Sequence, residues 1–168
     1  MDEKILSDLF TPAVIQRFIL GGIGIGIFII SYMVLTKILK KFACQTIMNI
    51  HIKTIDNKCE YDPDILQKII NLIEKYDCKK HVYFMSGNDN FLHLAKEMAP
   101  DICRCVGGGD APWEMVERAL KYECKKIQLL KPCFNQEMID KAHEHGIICN
   151  VFWSDDVEET RKFLEMGI

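Results

Sequence analysis

The stretch "KKIQLLKPCFNQEMIDKAHEHGIICNVFW", residues 125–153, contains a strand, a helix and a second strand in one short run. The β-rich segment KIQLL comes first. Asn135 is then a favourable N-cap for a helix over 136–145, and Gly146 is a typical helix end. The segment 147–153 follows as the next strand. Two strands joined by a helix pair in parallel, so this stretch predicts one unit of a parallel sheet.

The same unit repeats along the chain. Strands are predicted at 46–53, 81–86, 102–106, 126–130 and 147–153. Helices are predicted at 63–76, 91–98, 112–123, 136–145 and 157–166, with Asp62 and Asp110 as caps of the first and third. The last four strands begin 21, 24 and 21 residues apart, which is room for one strand, one three-turn helix and two loops. The sequence therefore predicts an α/β fold with parallel strands.

Two architectures share this alternation, a doubly wound sheet and a TIM-type barrel. The regular spacing and the absence of a GxGxxG sequence favour the barrel. About 130 residues follow the N-terminal apolar segment, whereas a complete barrel takes about 250. Gly167 and Ile168 resemble a turn into a further strand, so we expect a partial barrel whose chain stops inside its fold.

An apolar segment precedes this domain. Its nineteen residues, "FILGGIGIGIFIISYMVLT" (18–36), carry no charge. At about 1.5 Å per residue a helix of this length reaches roughly 28 Å, close to the ~30 Å hydrocarbon core of a bilayer. We predict an N-terminal segment 1–17, a transmembrane helix 18–38 and a barrel domain 39–168. A buried core helix and a glycine-rich phosphate loop stay open as alternatives.

The flanks of this segment indicate an orientation. Lys37, Lys40 and Lys41 follow it, whereas the preceding flank is net acidic. The positive-inside rule then predicts a single-pass membrane protein with a cytoplasmic C-terminal domain. Gly22 and Gly26 form a GxxxG pair, which could bring two such helices together in a homo-oligomer.

Composition excludes some function classes. A net charge of −3 and a pI near 6.0 leave no electrostatic footprint for nucleic acid. The eight cysteines include no CxxC, so neither a zinc ribbon nor a redox pair is indicated. Cys103 and Cys105 would face one side of a strand and are interpreted as buried free thiols. Free cysteines suit a reducing compartment, which agrees with a cytoplasmic domain.

Four segments together resemble bacterial glycerophosphodiester phosphodiesterases. They are "NIHIKT" (49–54), "HVYFMSGN" (81–88), "DAPWEMVERALKYECKK" (110–126) and the residues from 125 to 168. The resemblance covers about 47–168 and corresponds to the C-terminal half of the family's barrel. It implies a TIM-type fold and metal-dependent hydrolysis of glycerophosphodiesters to glycerol 3-phosphate and an alcohol, in lipid metabolism. Such chemistry uses a divalent cation, Mg²⁺ or Ca²⁺, and two histidines that exchange protons.

The family's catalytic motifs belong to its N-terminal half. They are a His-Arg-Gly strand and a later His-Asp pair, with Glu-Asn-Thr and Glu-x-Asp between them. No His-Arg-Gly or His-Asp sequence occurs in this chain, because its five histidines precede Ile, Val, Leu, Glu and Gly. We therefore assign no catalytic residue and expect a family member that is inactive as an isolated chain. The alternative is a non-catalytic, membrane-tethered binding or interaction module.

Three positions match the family's binding residues. His51 stands where the family has a metal-binding glutamate, and Lys53 is the retained lysine of that strand motif. The resemblance makes His51 a metal ligand and Lys53 a contact to a phosphate oxygen of a glycerophosphodiester or another phospholipid-derived small molecule. Trp153 aligns with a tryptophan that walls the glycerol pocket. The alternatives are a histidine facing a polar neighbour, a solvated lysine and core packing of Trp153. The turn 106–112, "VGGGDAP", could meet phosphate or be a plain βα turn.

Overall fold

The computed structural model describes residues 31–54, 56–108 and 111–168. The chain divides into two compact units, Met1–Phe42 and Ala43–Ile168. The described part of the first unit is helical over 31–42. Within the described ranges no helix has the length and apolar character needed to cross a bilayer. Most of the predicted transmembrane helix, including Gly22 and Gly26, lies outside these ranges, so it stays a prediction.

The second unit is built on one sheet of five parallel strands. These are β1 (Met48–His51), β2 (Val82–Ser86), β3 (Cys103–Gly107), β4 (Lys126–Leu130) and β5 (Ile148–Phe152). Every neighbouring pair is parallel, as predicted, and the strands lie side by side in chain order. A doubly wound sheet reverses its strand order at a switch point, whereas a barrel adds each strand in the same direction. The strand order therefore supports the half of a TIM-type barrel.

Five helices alternate with these strands. They are α1 (Pro63–Lys75), α2 (Asp89–Met98), α3 (Met115–Lys121), α4 (Gln136–Glu144) and α5 (Val157–Glu165). The side chains of Asp62, Asn88, Asn135 and Asp156 cap α1, α2, α4 and α5 by accepting a backbone N–H. The prediction missed Asn88 and began α2 two residues late.

The third helix differs most from its prediction. A 3₁₀ turn at Pro112–Glu114 precedes α3, which is shorter than the predicted 112–123. It ends early because Glu123 has a φ of 52°, a left-handed conformation that cannot continue an α-helix. The predicted cap, Asp110, lies outside the described residues.

The two faces of the sheet have different surroundings. Right-handed crossovers place the connecting helices on one face. There the ring of Phe84 in β2 contacts that of Phe91 in α2, 5.7 Å between centroids, and both side chains are fully buried. On the opposite face, which lines the lumen of a complete barrel, Ile148 and Phe152 are 53% and 51% exposed.

The prediction that Cys103 and Cys105 are buried free thiols is confirmed fully for Cys105. All eight cysteines are free, and Cys105 is fully buried while Cys103 is half-buried. Burial raises the pKa of Cys105 to about 12. Such a thiol stays protonated at neutral pH and behaves as a small apolar side chain.

Candidate functional site

The carboxyl ends of all five strands lie along one edge of the sheet, because the strands are parallel. In TIM-type barrels the residues that bind and react come from this edge. His51 is the last residue of β1, and Lys53 follows two positions later. Trp153 directly follows β5. The three residues singled out from the sequence therefore lie at the carboxyl edge, and their roles stay predictions.

His51 and Lys53 lie close to each other and are both exposed. Partial burial lowers the pKa of His51 below its ordinary value of 6.5, and the charge of Lys53 lowers it further. The imidazole is therefore neutral at pH 7 and can accept or donate one hydrogen bond. At the end of β1 the edge therefore presents the cation of Lys53 beside a neutral polar ring.

These residues do not fit a hard divalent cation. Mg²⁺ and Ca²⁺ prefer carboxylate and carbonyl oxygens, whereas His51 offers a neutral nitrogen and Lys53 a repelling charge. Across the described ranges, no three His, Cys, Asp or Glu side chains are grouped so that they could hold a metal ion. We therefore derive no chemical step through a metal in this chain.

The chain does contain one Glu-x-Asp sequence, at Glu60 and Asp62. It follows β1, whereas the family's motif belongs to the N-terminal half of the barrel. The structure gives Asp62 another task, because its Oδ1 accepts the N–H of Asp64 at 2.8 Å and caps α1. Glu60 and Asp62 therefore do not replace the metal ligands of the family's Glu-x-Asp motif.

The loop that carries Lys53 is held by buried polar side chains of the neighbouring β2 segment. Ser86 Oγ donates to Ile52 O at 2.9 Å. Asn88 Nδ2 donates to Cys59 O at 2.9 Å, and lies 3.1 Å from Asp56 O and 3.3 Å from Thr54 Oγ1. Both residues are fully buried. The backbone on each side of Lys53 is thus fixed.

The anchoring of this loop by Ser86 and Asn88 was not predicted from the sequence, although a signal was present. The segment "SGN" (86–88) places two hydrogen-bonding side chains directly after a buried strand. Polar side chains that become fully buried need partners, and here the partners are backbone groups of the loop beside them.

Asn88→Ala tests the anchor, and Asn135→Ala is its matched control. Each asparagine caps a helix, through Phe91 N at 2.8 Å and Met138 N at 3.0 Å, but Asn135 is exposed. We expect Asn135→Ala to cost about 1 kcal/mol, the usual value of a cap. Asn88→Ala should cost about 2–4 kcal/mol because it also removes the hydrogen bonds from the buried amide to Cys59 O and Asp56 O. Urea unfolding followed by circular dichroism measures both; equal losses would contradict the anchoring role.

Trp153 occupies the far end of the same edge. Its side chain is 67% exposed, which excludes core packing. The residue has a φ of 70°, and its indole N–H donates to the carboxylate of Asp155. Three strands separate β5 from β1, so the structure does not bring Trp153 into contact with Lys53. Its place in a glycerol pocket stays a prediction.

The glycine turn after β3 has a packing explanation. A Cβ added at Gly107 would lie 2.6 Å from Met85 Cγ, so a larger residue does not fit there. Gly108 has a φ of 65°, which favours glycine, and its carbonyl accepts Arg118 Nη1 at 3.2 Å. Among the described residues of this turn, the glycines therefore serve packing and backbone conformation.

Comparison with known proteins adds the family context. No protein-family model matches the chain, and no curated protein matches it. Several solved structures do. A protein assigned as a glycerophosphodiester phosphodiesterase from Galdieria sulphuraria matches with a TM-score of 0.68 and 23% identity, over 80% of this chain and 57% of that chain.

Two further solved structures are similar. A glycerophosphodiester phosphodiesterase from Parabacteroides distasonis gives a TM-score of 0.60 at 15% identity, over 79% of this chain and 55% of that chain. An Oleispira antarctica phosphodiesterase in complex with the product sn-glycerol 3-phosphate gives 0.55 at 18% identity, over 63% and 43%. The chain shares the fold of glycerophosphodiester phosphodiesterases.

The resemblance that the sequence indicated is thus confirmed at the level of the fold. The chain spans between 43% and 57% of the length of these three structures.

Proposed function

We propose that the chain is a glycerophosphodiester phosphodiesterase family member whose carboxyl edge binds the phosphate of a glycerophosphodiester or of glycerol 3-phosphate. The observation that carries this proposal is Lys53, a cation at the edge of a parallel sheet shared with these enzymes, on a loop fixed by Ser86 and Asn88. One neighbour of this fold holds sn-glycerol 3-phosphate. An ammonium group forms charge-assisted hydrogen bonds with phosphate oxygens.

We propose binding without hydrolysis for the isolated chain. The enzymes of this family release glycerol 3-phosphate and an alcohol, a reaction that calls for paired proton-transfer groups and charge neutralisation. His51 beside Lys53 supplies one neutral imidazole and no negative charge. This arrangement supports the second candidate, a non-catalytic binding module, as the state of the chain by itself. A divalent cation would then require ligands from outside the described residues.

Lys53→Ala tests the binding proposal. Calorimetric titration of sn-glycerol 3-phosphate into the full chain, in mild detergent, measures the affinity. Lys53→Ala should bind it about tenfold or more weakly than the unsubstituted chain. The reason is that a hydrogen bond to a charged group contributes about 1.5–3 kcal/mol, and 1.4 kcal/mol equals tenfold. Lys162→Ala is the control, because Lys162 is exposed on α5, away from β1. Equal affinities of the two variants would overturn the assignment of Lys53.

We also propose that the predicted transmembrane helix 18–38 tethers the domain to a membrane, with the C-terminal domain on the cytoplasmic side. The support is the uncharged segment 18–36 and the basic residues that follow it. Pairing of two chains through Gly22 and Gly26 is part of this proposal.

Membrane fractionation checks the tether. The full chain should sediment with membranes in detergent-free ultracentrifugation and resist extraction by high salt, because apolar burial is insensitive to screening. A variant lacking 18–36 is the control and should leave the membrane fraction. Full-length chain that stays unaggregated in the supernatant would contradict the tether.

A further inference from the structure

A cavity of about 300 Å³ lies beside α3, among the loops that follow β1 and β2. We name it the α3 pocket, and its charged lining residues are Lys58, Asp89, Glu114, Glu117, Arg118 and Lys121. His51, Lys53 and Trp153 are not among the residues that line it. The α3 pocket therefore shares no residue with that site, although the loops that line it belong to the same carboxyl edge.

One wall of the α3 pocket is a rigid ion pair. Arg118 is 9% exposed, and its Nε and Nη2 donate to Asp89 Oδ1 at 2.9 and 2.7 Å. The same guanidinium donates to Gly87 O at 2.8 Å and Gly108 O at 3.2 Å. These bonds join the loops after β2 and β3. The wall is held in place before any ligand arrives, which lowers the cost of binding.

The lining charges are separated by sign along α3. Glu114 and Glu117 lie at its start, whereas Arg118 and Lys121 lie towards its end. Glu114 and Lys121 are seven residues apart, about 10 Å along a helix, and residues spaced by three, four and seven share one face. Lys58 adds a cation from the loop after β1. The pocket thus has an acidic end and a basic region.

Only some of these charges are available to a ligand. Asp89 is paired with Arg118, and Glu117 is paired with Lys141 through a 2.5 Å contact. In the part of the chain that the structure describes, neither Lys58 nor Glu114 forms an ion pair. The ammonium of Lys121 lies over the ring of Tyr122, 5.0 Å from its centroid. Among the described residues, Lys58, Lys121 and Glu114 are therefore the lining charges without an ion-pair partner.

We propose that the α3 pocket binds a small zwitterion, in which a short chain joins a phosphate ester to a primary ammonium group. Lys58 and Lys121 bind the phosphate, and Glu114 accepts hydrogen bonds from the ammonium. The three cations and three carboxylates of the lining sum to zero, so a simple anion gains from the lysines and loses to the carboxylates. A ligand with both charges can satisfy both ends.

This chemistry occurs in soluble phosphoethanolamine and in the headgroup of ethanolamine phospholipids. Two arms of one experiment distinguish these sources. Calorimetry with the full chain in mild detergent uses phosphoethanolamine, inorganic phosphate and ethanolamine as separate probes. Flotation with vesicles compares phosphatidylethanolamine with phosphatidylcholine, whose quaternary ammonium cannot donate a hydrogen bond to Glu114. Binding of the soluble probe supports a free compound, and binding confined to ethanolamine vesicles supports the lipid.

Glu114→Gln is the most informative substitution, because it should change the affinities for two probes in opposite directions. Phosphoethanolamine should bind about tenfold more weakly and inorganic phosphate more tightly, since the variant removes a partner of the ammonium and a repeller of the phosphate. The side chain of Glu114 forms no cap hydrogen bond, so α3 should be unaffected. Lys121→Ala should weaken both probes.

Two controls separate this proposal from the others. Lys162→Ala should leave all affinities unchanged. Because Lys53 is itself proposed to bind phosphate at the carboxyl edge, the soluble probes are also titrated into Lys53→Ala, in which phosphoethanolamine should still bind to the α3 pocket. The proposal is overturned if phosphate binds as tightly as phosphoethanolamine, if Glu114→Gln moves neither probe, or if neither the soluble probe nor ethanolamine vesicles bind.

Discussion

Replacing Arg104 by methionine should remove a large share of the stability of the barrel domain. Arg104 is only 4% exposed, and its guanidinium donates to five backbone carbonyls. They belong to Ala99, Pro100, Ile102, Tyr122 and Glu123, at 3.0–3.3 Å. Hydrogen bonds from a charged donor contribute about 1.5–3 kcal/mol each, and buried acceptors left without one cost about 1–3 kcal/mol.

The position of Arg104 explains why these carbonyls need it. Ala99 and Tyr122 are the C-caps of α2 and α3, where the last carbonyls of a helix lack partners inside the helix. The negative ends of two helix dipoles meet the guanidinium there. One side chain therefore joins β3 to the ends of both helices that pack beside it.

We expect Arg104→Met to lower the free energy of unfolding by about 3–5 kcal/mol, a large share of the 5–15 kcal/mol typical of a domain. Arg104→Lys should lose less, because it keeps the charge but cannot span five carbonyls. Arg161→Met is the control: its contact with Glu158 is exposed, so its loss should stay below about 0.5 kcal/mol. Urea unfolding of the full chain in mild detergent measures all three. A similar loss for Arg104→Met and Arg161→Met would show that the five bonds contribute no net stability.

The fold was predictable because its signals are local and repeated. Asp62 before Pro63 and Asn135 before α4 fix helix starts, while the 21- to 24-residue spacing fixes the alternation. Periodicity reports which residues are buried and not which strand lies next to which. The barrel was favoured over the doubly wound sheet by the even spacing and the missing GxGxxG sequence, and the strand order supports it. The early end of α3 was missed because a left-handed Glu123 has no strong sequence signal.

The candidate site was predictable only in part, because local sequence signals do not report contacts between distant residues. His51, Lys53 and Trp153 follow strands, so their edge could be inferred from the sequence alone. The bonds from Ser86 and Asn88 to the loop after β1 join residues about thirty positions apart, and only the folded chain brings them together. The Asp89–Arg118 pair is a contact of the same kind.

The purified 168-residue chain should not release glycerol 3-phosphate from glycerophosphocholine above the uncatalysed rate, with either Mg²⁺ or Ca²⁺ present. The placement of the histidines is the first reason. All five are within the described residues, and they are His51, His81, His93, His143 and His145. His51 alone ends a strand; His81 precedes β2, His93 lies in α2, and the last two lie at the end of α4.

This arrangement cannot supply two proton-transfer groups at one phosphate. A general acid and a general base must both come within hydrogen-bond reach of the reacting atoms, and each typically contributes about 10²- to 10⁴-fold. The amino end of β2 and the end of α4 lie at the opposite edge of the sheet from the carboxyl edge. His93 is exposed on α2, on a different side from Phe91, Leu92 and Ala95, which that helix buries. With one imidazole at that edge, at least one of the two proton transfers has no positioned partner.

Substitutions and controls make the expected inactivity informative. His51→Glu restores the family's carboxylate beside Lys53 but adds no histidine, so it should improve binding of a divalent cation without raising the rate. An enzyme already known to hydrolyse glycerophosphocholine, assayed under the same conditions, is the positive control for the reagents. Metal-dependent release of glycerol 3-phosphate by the chain, abolished by Lys53→Ala and kept by Lys162→Ala, would overturn this prediction. It would mean that side chains other than paired histidines at the carboxyl edge carry the proton transfers.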